Sequence, residues 1–292
     1  AKIRALISKM LSAGDYEKML QADTYDESVR LLSTTSTGSE LVELLTKAEV
    51  DLVEVDQALT KLFVKAFRMI CGYAPGKARA FLETYLQKID LDGLKTVIRA
   101  VHNKVRKDEA LRFIVSTSEK SREGFSRLLE SQSVEQLVEE VQDSALRGAL
   151  EKSLPLYEST GSTVPLESSL DRVLYSQLWE QIEKKLNRID RVHAEELVGL
   201  RTDLNNMLVA LRCKELGLGS MALELLVAPN YYRLRVNIDE VARARNVEEL
   251  LNIFGATAYR EVVQQAREAF EKEPDITRIE EIADHYIAHQ SF

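Results

Sequence analysis

Residues that interrupt helices are scarce in this chain of 292 residues, which contains only 12 glycines and 5 prolines. Both counts are below average usage, and both residue types destabilise helices, glycine through backbone entropy and proline through its missing N–H. Leu, Glu, Ala, Arg and Lys dominate instead, and strand-like alternation bounded by turns is nearly absent. The composition therefore predicts an all-α fold.

The chain also lacks a basic excess, since its net charge is −8 and its pI is about 5.3. Nucleic-acid-binding proteins normally carry such an excess to neutralise phosphates, so we expect no nucleic-acid partner. The only two cysteines, Cys71 and Cys213, are too far apart for a disulfide framework or a closely spaced zinc site. No apolar run approaches the roughly 18–20 residues that span a bilayer, so we expect no direct membrane span.

Three patterns resemble catalytic or binding motifs only superficially. Gly72–Ala78 has neither the glycine spacing nor the hydroxyl of a phosphate-binding loop. His285 and His289 share a helical face, but the intervening glutamate of a helical zinc hydrolase is missing. Acidic pairs such as Glu195–Glu196 are typical of solvated helix faces. We therefore predict no catalytic residue, no cofactor-binding residue and no metal ligand, with a helical hydrolase of unrecognised site as an alternative.

Apolar residues recur at intervals of three and four along most of the chain. The stripe from Leu170 to Ile189, with no Gly or Pro anywhere in Leu166–Val198, predicts one long helix. A second stripe follows in Leu200–Leu211, and its predicted stop is Gly217. The other predicted breaks are polar segments or contain Gly or Pro: Ser33–Ser39, Gly72–Gly76, Pro155–Pro165, Pro229–Asn230 and Pro274–Asp275.

The chain also contains an internal repeat. Three pairs of segments match at one constant offset: Asp90–Arg99 with Asp203–Arg212, Val134–Leu137 with Val247–Leu250, and Leu166–Glu167 with Ile279–Glu280. Generic resemblance between helices is the alternative explanation, but it does not account for a single offset with matching Asp and Arg. We predict three helical modules, residues 1–110, 111–219 and 220–292, of which the third is incomplete.

Two groups of residues are candidates for specific roles. Asp90, Arg99, Asp203 and Arg212 occupy equivalent positions in the repeat, and we expect them to be structural, at helix starts and in contacts between modules.

The second group is a basic cluster beside Tyr231–Tyr232, formed by Arg233, Arg235, Arg243 and Arg245. On a helix this cluster would face an acidic partner or a lipid headgroup. The alternative is a charged surface balanced by the acidic residues nearby.

Four segments carry a resemblance to a known family: Leu11–Tyr16, Glu167–Tyr175, Asp203–Gly217 and Ile279–Asp284. In order and spacing they resemble the C subunits of the A-type and V-type rotary ATPases, which are similar to the d subunit of the vacuolar enzyme. The resemblance implies three helical modules about a pseudo-three-fold axis, funnel-like, with the third module truncated.

The same resemblance implies a function. It indicates a non-catalytic subunit of the central stalk, peripheral at the cytoplasmic face of the cell membrane. Its partners would be the subunits of the rotor axle and the membrane rotor ring, between which it transmits torque for proton or sodium transport. The alternative is a helical-repeat scaffold that binds other proteins, but its period should be roughly 33–47 residues, far shorter than the offset between the matching segments.

Overall fold

A computed structural model of the chain describes residues 2–8, 10–35, 38–42, 51–228 and 232–290. Within these ranges the backbone forms sixteen α-helices and one 3₁₀ turn, Gly38–Leu41, and no β-strand. The helices are α1 (Lys2–Ile7), α2 (Ala13–Leu20), α3 (Tyr25–Ser33), α4 (Leu52–Tyr73), α5 (Gly76–His102), α6 (Lys107–Ala110), α7 (Glu119–Leu128), α8 (Val134–Glu140), α9 (Ser144–Thr160), α10 (Val164–Lys184), α11 (Arg188–Glu215), α12 (Ser220–Leu226), α13 (Ile238–Arg243), α14 (Val247–Gly255), α15 (Arg260–Lys272) and α16 (Ile276–Gln290). The prediction of an all-α fold is confirmed.

The chain folds into two compact units, residues 1–134 and residues 135–292. In the first unit α4 packs against α5, and α5 also contacts α6 and α7. In the second unit α10 packs against α9, α11 and α12, while α11 also contacts α14 and α16. Several neighbouring helices therefore pack on the longest helix of each unit. This helix is α5 in the first unit, with 27 residues, and α11 in the second, with 28.

The offset that separates Asp90 from Asp203 recurs in the helix boundaries. It separates the first residues of α6 and α12, the first residues of α8 and α14, and the last residues of α5 and α11. The first residues of α4, α10 and α16 are also evenly spaced along the chain. The same order of helices thus returns along the sequence. The division into modules 1–110, 111–219 and 220–292 about a pseudo-three-fold axis stays a prediction.

The hydrophobic core of the second unit is built on α11. Leu204, Met207 and Leu211 of the predicted stripe are buried there, together with side chains of α14, α15 and α16 such as Leu251 and Val263. Fully burying one such side chain contributes about 1.5–3 kcal/mol, so this stripe is a main source of stability. Truncating Leu211 to alanine would cost about 2–5 kcal/mol.

One predicted helix is in fact two. The prediction of a single helix through Leu166–Val198 is wrong, because α10 ends at Lys184 and α11 begins only at Arg188. The Asn187 side chain accepts the backbone N–H groups of Ile189 and Asp190 at 2.9 and 3.0 Å. This N-cap satisfies donors that a new helix leaves unpaired, so neither Gly nor Pro is needed for the break.

The other breaks are partly as predicted. Gly217 follows the end of α11 with a φ of 68°, the left-handed conformation in which glycine ends helices. Pro155 does not break α9, which continues to Thr160 and is ended by Gly161, with a φ of 65°. The predicted turn at Pro229–Asn230 lies outside the described residues.

Candidate functional site: a surface loop anchored on the longest helix

A buried carboxylate in the middle of α11 anchors the segment that precedes α13. Asp203 is fully buried, and its Oδ1 accepts the backbone N–H of Tyr232 at 2.8 Å. Its Oδ2 accepts the backbone N–H groups of Arg233 and Leu234 at 2.5 and 2.7 Å. The hydroxyl of Tyr259 donates to the same oxygen at 2.7 Å. Four donors converging on one carboxylate stabilise a negative charge that would otherwise be costly to bury.

Tyr259 is held in its neutral form at this site. Burial raises the pKa of Tyr259 well above its ordinary value, and the hydrogen bond to Asp203 raises it further. The phenol therefore stays protonated at neutral pH and acts as a donor to the carboxylate. Because donors occupy both oxygens of Asp203, the geometry supports an anchoring role for this carboxylate.

The start of the same loop is fastened by two further side chains. Asn206, one turn after Asp203, accepts the backbone N–H of Ala228 at 2.8 Å and donates to its carbonyl oxygen at 3.2 Å. Arg172 of α10 donates from Nε to the carbonyl oxygen of Val227 at 3.0 Å. Sequence reasoning missed these contacts, although Asn206 lies within the segment that suggested the repeat.

The first unit contains a similar anchor at the equivalent position of the repeat. Asp90 lies in the interior of α5, half-buried, and its Oδ1 accepts the backbone N–H of Thr117 at 2.7 Å. Its Oδ2 accepts the hydroxyls of Thr117 and Ser121 at 2.5 and 3.0 Å. Asp90 and Asp203 thus lie in helix interiors, whereas the sequence suggested helix starts.

The two repeat arginines lie near the C-terminal ends of their helices. Arg212 of α11 forms an ion pair with Glu280 of α16, and both side chains are partly buried. Arg99 is exposed in the last turn of α5, where a positive charge complements the helix dipole. The pair formed by Arg212 joins two helices of the same unit, which is a structural contact.

The anchored loop presents an aromatic ring and a guanidinium group at the surface. The guanidinium carbon of Arg233 lies 4.9 Å from the centre of the Tyr232 ring, within cation–π range. The ring lies directly against Gly199 of α11, where a Cβ atom would overlap the ring carbon Cγ of Tyr232. Glycine is therefore required at this position for the ring to pack as it does.

The remaining members of the basic cluster are spread along the surface. Arg235 is exposed in the segment before α13, and Arg243 is the last residue of that helix. Arg245 pairs with Glu249, and the Nε of Arg245 donates to the Oε1 of Glu249 at 2.6 Å. Only Arg243 of the cluster lies on a helix, and the neighbouring Tyr231 lies outside the described residues.

Groups with potential reactivity are buried or dispersed. Burial raises the pKa of the Cys213 thiol to about 12, so it is protonated at neutral pH. Among the residues that the structure describes, no three or more His, Cys, Asp and Glu side chains are grouped so that they could hold a metal ion. The side chain of His289 is not among those described. Among the helices that the structure describes, none has the length and the apolar content that a bilayer-spanning segment needs.

Comparison with known proteins gives a consistent result along the whole chain. A family model described as ATP synthase (C/AC39) subunit matches residues 1–291. The C subunit of the A-type ATP synthase of Methanocaldococcus jannaschii is 26% identical over 290 residues, which cover 98% of this chain and 71% of that protein. Its counterpart in Halorubrum lacusprofundi is 25% identical over 285 residues, 97% of this chain and 80% of that protein. Because the family model covers almost every residue, this chain belongs to the ATP synthase (C/AC39) subunit family.

Proposed function

We propose that this chain is a non-catalytic coupling subunit of the central stalk of an A-type or V-type ATP synthase. It links the rotor axle to the membrane ring that carries ions, and transmits torque for proton or sodium transport coupled to ATP synthesis or hydrolysis. It acts as a peripheral subunit at the cytoplasmic face of the membrane. The observation that carries this proposal is the family match over residues 1–291.

The helical architecture supports a mechanical role. A part that transmits torque must resist bending, and long helices packed through wide apolar stripes provide stiffness. α11 is about 42 Å long at 1.5 Å per residue and α5 is almost as long. Each of the two holds a following loop through a polar side chain in its interior, Asp203 in α11 and Asp90 in α5. The anchors extend the rigidity of the helices to their surface segments.

The repeat positions and the basic cluster have different roles in this proposal. Asp90, Asp203, Arg99 and Arg212 are structural residues that hold the helices and loops in place.

Arg233, Arg235 and Arg243 are exposed and contact an acidic surface of a partner subunit, while Arg245 serves mainly its own pair with Glu249. The anchor on α11 supports this assignment, because a preformed loop loses little entropy on binding.

Association with the complex is the first test. Native membranes are extracted with a mild detergent, and the ATPase is purified through a tag on a catalytic subunit. We expect this chain to co-purify in a fixed ratio to the axle subunits. A helical scaffold or a free enzyme would remain in the soluble fraction, and that result would reject the proposal.

Coupling is the second test. Complexes with and without this subunit are reconstituted into vesicles, and ATP hydrolysis and ATP-driven ion uptake are measured on the same samples. We expect the subunit-free head to hydrolyse ATP while ion uptake is lost, and the added chain to restore uptake. If attachment uses charged contacts at its rim, it should weaken as ionic strength rises. Equal uptake with and without the chain would contradict a coupling role.

A further inference from the structure

A second basic surface lies on α4 and the start of α5, away from the anchored loop. The segment 57–82 contains five basic residues and no Asp or Glu, in a chain whose net charge is −8. Three of the five, Lys61, Lys65 and Arg68, follow one another at helical spacing and are exposed on one face of α4. Like charges at this spacing repel one another, so an acidic group that approaches this face is attracted to it.

This basic face forms one wall of a groove. The groove has a volume of about 240 Å³ and is lined by Lys61, Val64, Lys65, Arg68 and Ser116. Val64 is buried at its floor, and Ser116 belongs to the segment between α6 and α7, which forms the opposite wall.

The opposite wall is held in place by contacts at both ends. Arg68 donates to the carbonyl oxygen of Thr117, and Gln57 donates to the carbonyl oxygen of Arg112. Asp90 holds the backbone N–H of Thr117 from the side of α5, at 2.7 Å. The groove is therefore a built feature of the first unit, with walls fixed before any partner binds.

The chemistry of the groove favours carboxylates. Neither Lys61 nor Arg68 forms an ion pair with any residue that the structure describes. The bond from Arg68 to Thr117 uses only part of its five-donor guanidinium, which leaves N–H groups for a further acceptor. Lys61 and Arg68 lie two turns apart on α4, so acidic side chains in the groove would meet an ammonium at one turn and a guanidinium at the other, in charge-assisted contacts.

The shape of the groove distinguishes between two kinds of acidic partner, an anionic membrane surface and an acidic segment of a polypeptide. A membrane surface is broad and contacts basic side chains spread over a wide face, whereas the basic side chains of this site line one open groove between α4 and a pinned segment. Its volume lies below the roughly 300–1,000 Å³ of sites for small organic ligands and suits one or two side chains. We propose that the groove of Lys61 and Arg68 is a docking site for an acidic segment of a partner polypeptide, inserted with its Asp or Glu side chains between α4 and Ser116. This rests on the proposed function in that the partner is a subunit of the same ATPase.

The experiment measures binding of the full chain to ATPase complex from which this subunit has been washed. Lys61→Glu places a negative charge in the groove, and we expect it to weaken binding about tenfold, with Lys61→Gln between it and the unchanged chain. Lys77→Glu is the matched control, because Lys77 is exposed in the first turn of α5, outside the groove. We expect its affinity to stay within twofold of that of the unchanged chain. Circular dichroism and thermal unfolding establish that the three variants are folded.

Zero-length carbodiimide cross-linking in the intact complex provides a readout that does not depend on variants. We expect the Lys61 ammonium to be joined to an Asp or Glu of one partner subunit, identified by mass spectrometry. Equal binding of the Lys61→Glu and unchanged chains would overturn the inference, and so would sedimentation of the chain with anionic lipid vesicles that depends on Lys61. If the unchanged chain itself fails to bind the washed complex, the proposed function fails instead.

Discussion

Replacing Asp203 by Asn tests the anchor of the surface loop with almost no change of volume. The best position for the amide oxygen is that of Oδ2, where three donors converge. The amide NH₂ then faces the backbone N–H of Tyr232, which had bonded to Oδ1 at 2.8 Å. One buried donor left unpaired costs about 1–3 kcal/mol, and turning three charge-assisted bonds into neutral ones costs roughly 0.5–1 kcal/mol each. We expect Asp203→Asn to lower the free energy of unfolding by about 3–5 kcal/mol.

The chain offers a specific probe for this measurement. Trp179 is its single tryptophan, is buried in α10 of the second unit and donates from its indole to the hydroxyl of Thr202 at 3.1 Å. Its fluorescence during urea titration therefore follows the unit that contains Asp203. Hydrogen exchange of the backbone amides of residues 232–234 should become faster in the variant, because their acceptor is weakened.

Asp90→Asn is the control for the same chemistry in the other unit. Two of the three bonds to Asp90 come from the hydroxyls of Thr117 and Ser121, which can rotate and accept a bond from the new amide. Asp90 is also only half-buried, so we expect Asp90→Asn to lower the free energy of unfolding of its unit by about 1–2 kcal/mol. Hydrogen exchange of the backbone amides in that unit measures this loss. A loss below about 1 kcal/mol for Asp203→Asn, or an equal loss for both variants, would refute the reasoning.

Three further predictions concern single side chains. Gly199→Ala should destabilise the chain by about 1–3 kcal/mol in a urea titration, because the added methyl group overlaps the ring of Tyr232. The control is Gly72→Ala, which has open space around it and should be neutral or stabilising by up to about 1 kcal/mol. Equal effects of the two substitutions would exclude the clash. Arg212→Ala should cost about 1–2 kcal/mol by the same assay, and Arg245→Ala, which removes a more exposed pair, less than about 0.5 kcal/mol. The thiol of Cys213 should react with a disulfide reagent at pH 8 far more slowly in the folded chain than in urea, because burial holds its pKa near 12; equal rates would contradict its burial.

Much of this fold follows from local rules. Scarce Gly and Pro, apolar spacing and the stop at Gly217 predict helices and one of their ends, because these signals act over a few residues. The break after Lys184 depends on the cap at Asn187, which competes with an otherwise continuous apolar stripe. Pro155 shows the opposite case, since a residue that usually disrupts helices is accommodated within α9.

The candidate site is predictable only in part. The repeat singles out Asp203, because a polar residue that recurs at a fixed offset in an apolar helix signals a shared requirement. It does not reveal the partners, since the amides of residues 232–234 lie far along the chain and any residue type except proline supplies a backbone N–H. The groove beside Lys61 also needs the fold, because Ser116 lies far from α4 in sequence.

Asn206 and Gly93 are separated by the same offset as Asp203 and Asp90. They show why this offset identifies the anchoring carboxylate but not the side chains around it. In the second unit Asn206 bonds to the backbone of Ala228, whereas in the first unit a Cβ on Gly93 would lie 2.8 Å from the ring of Phe125. The second unit thus fastens its loop with an amide, and the first unit has an aromatic ring at the corresponding position. The carboxylate found in both units supplies hydrogen-bond acceptors to donors from a loop, which apolar packing cannot do. Because the rest of each interior can be packed in several ways, both units contain the carboxylate anchor while the side chains around it differ.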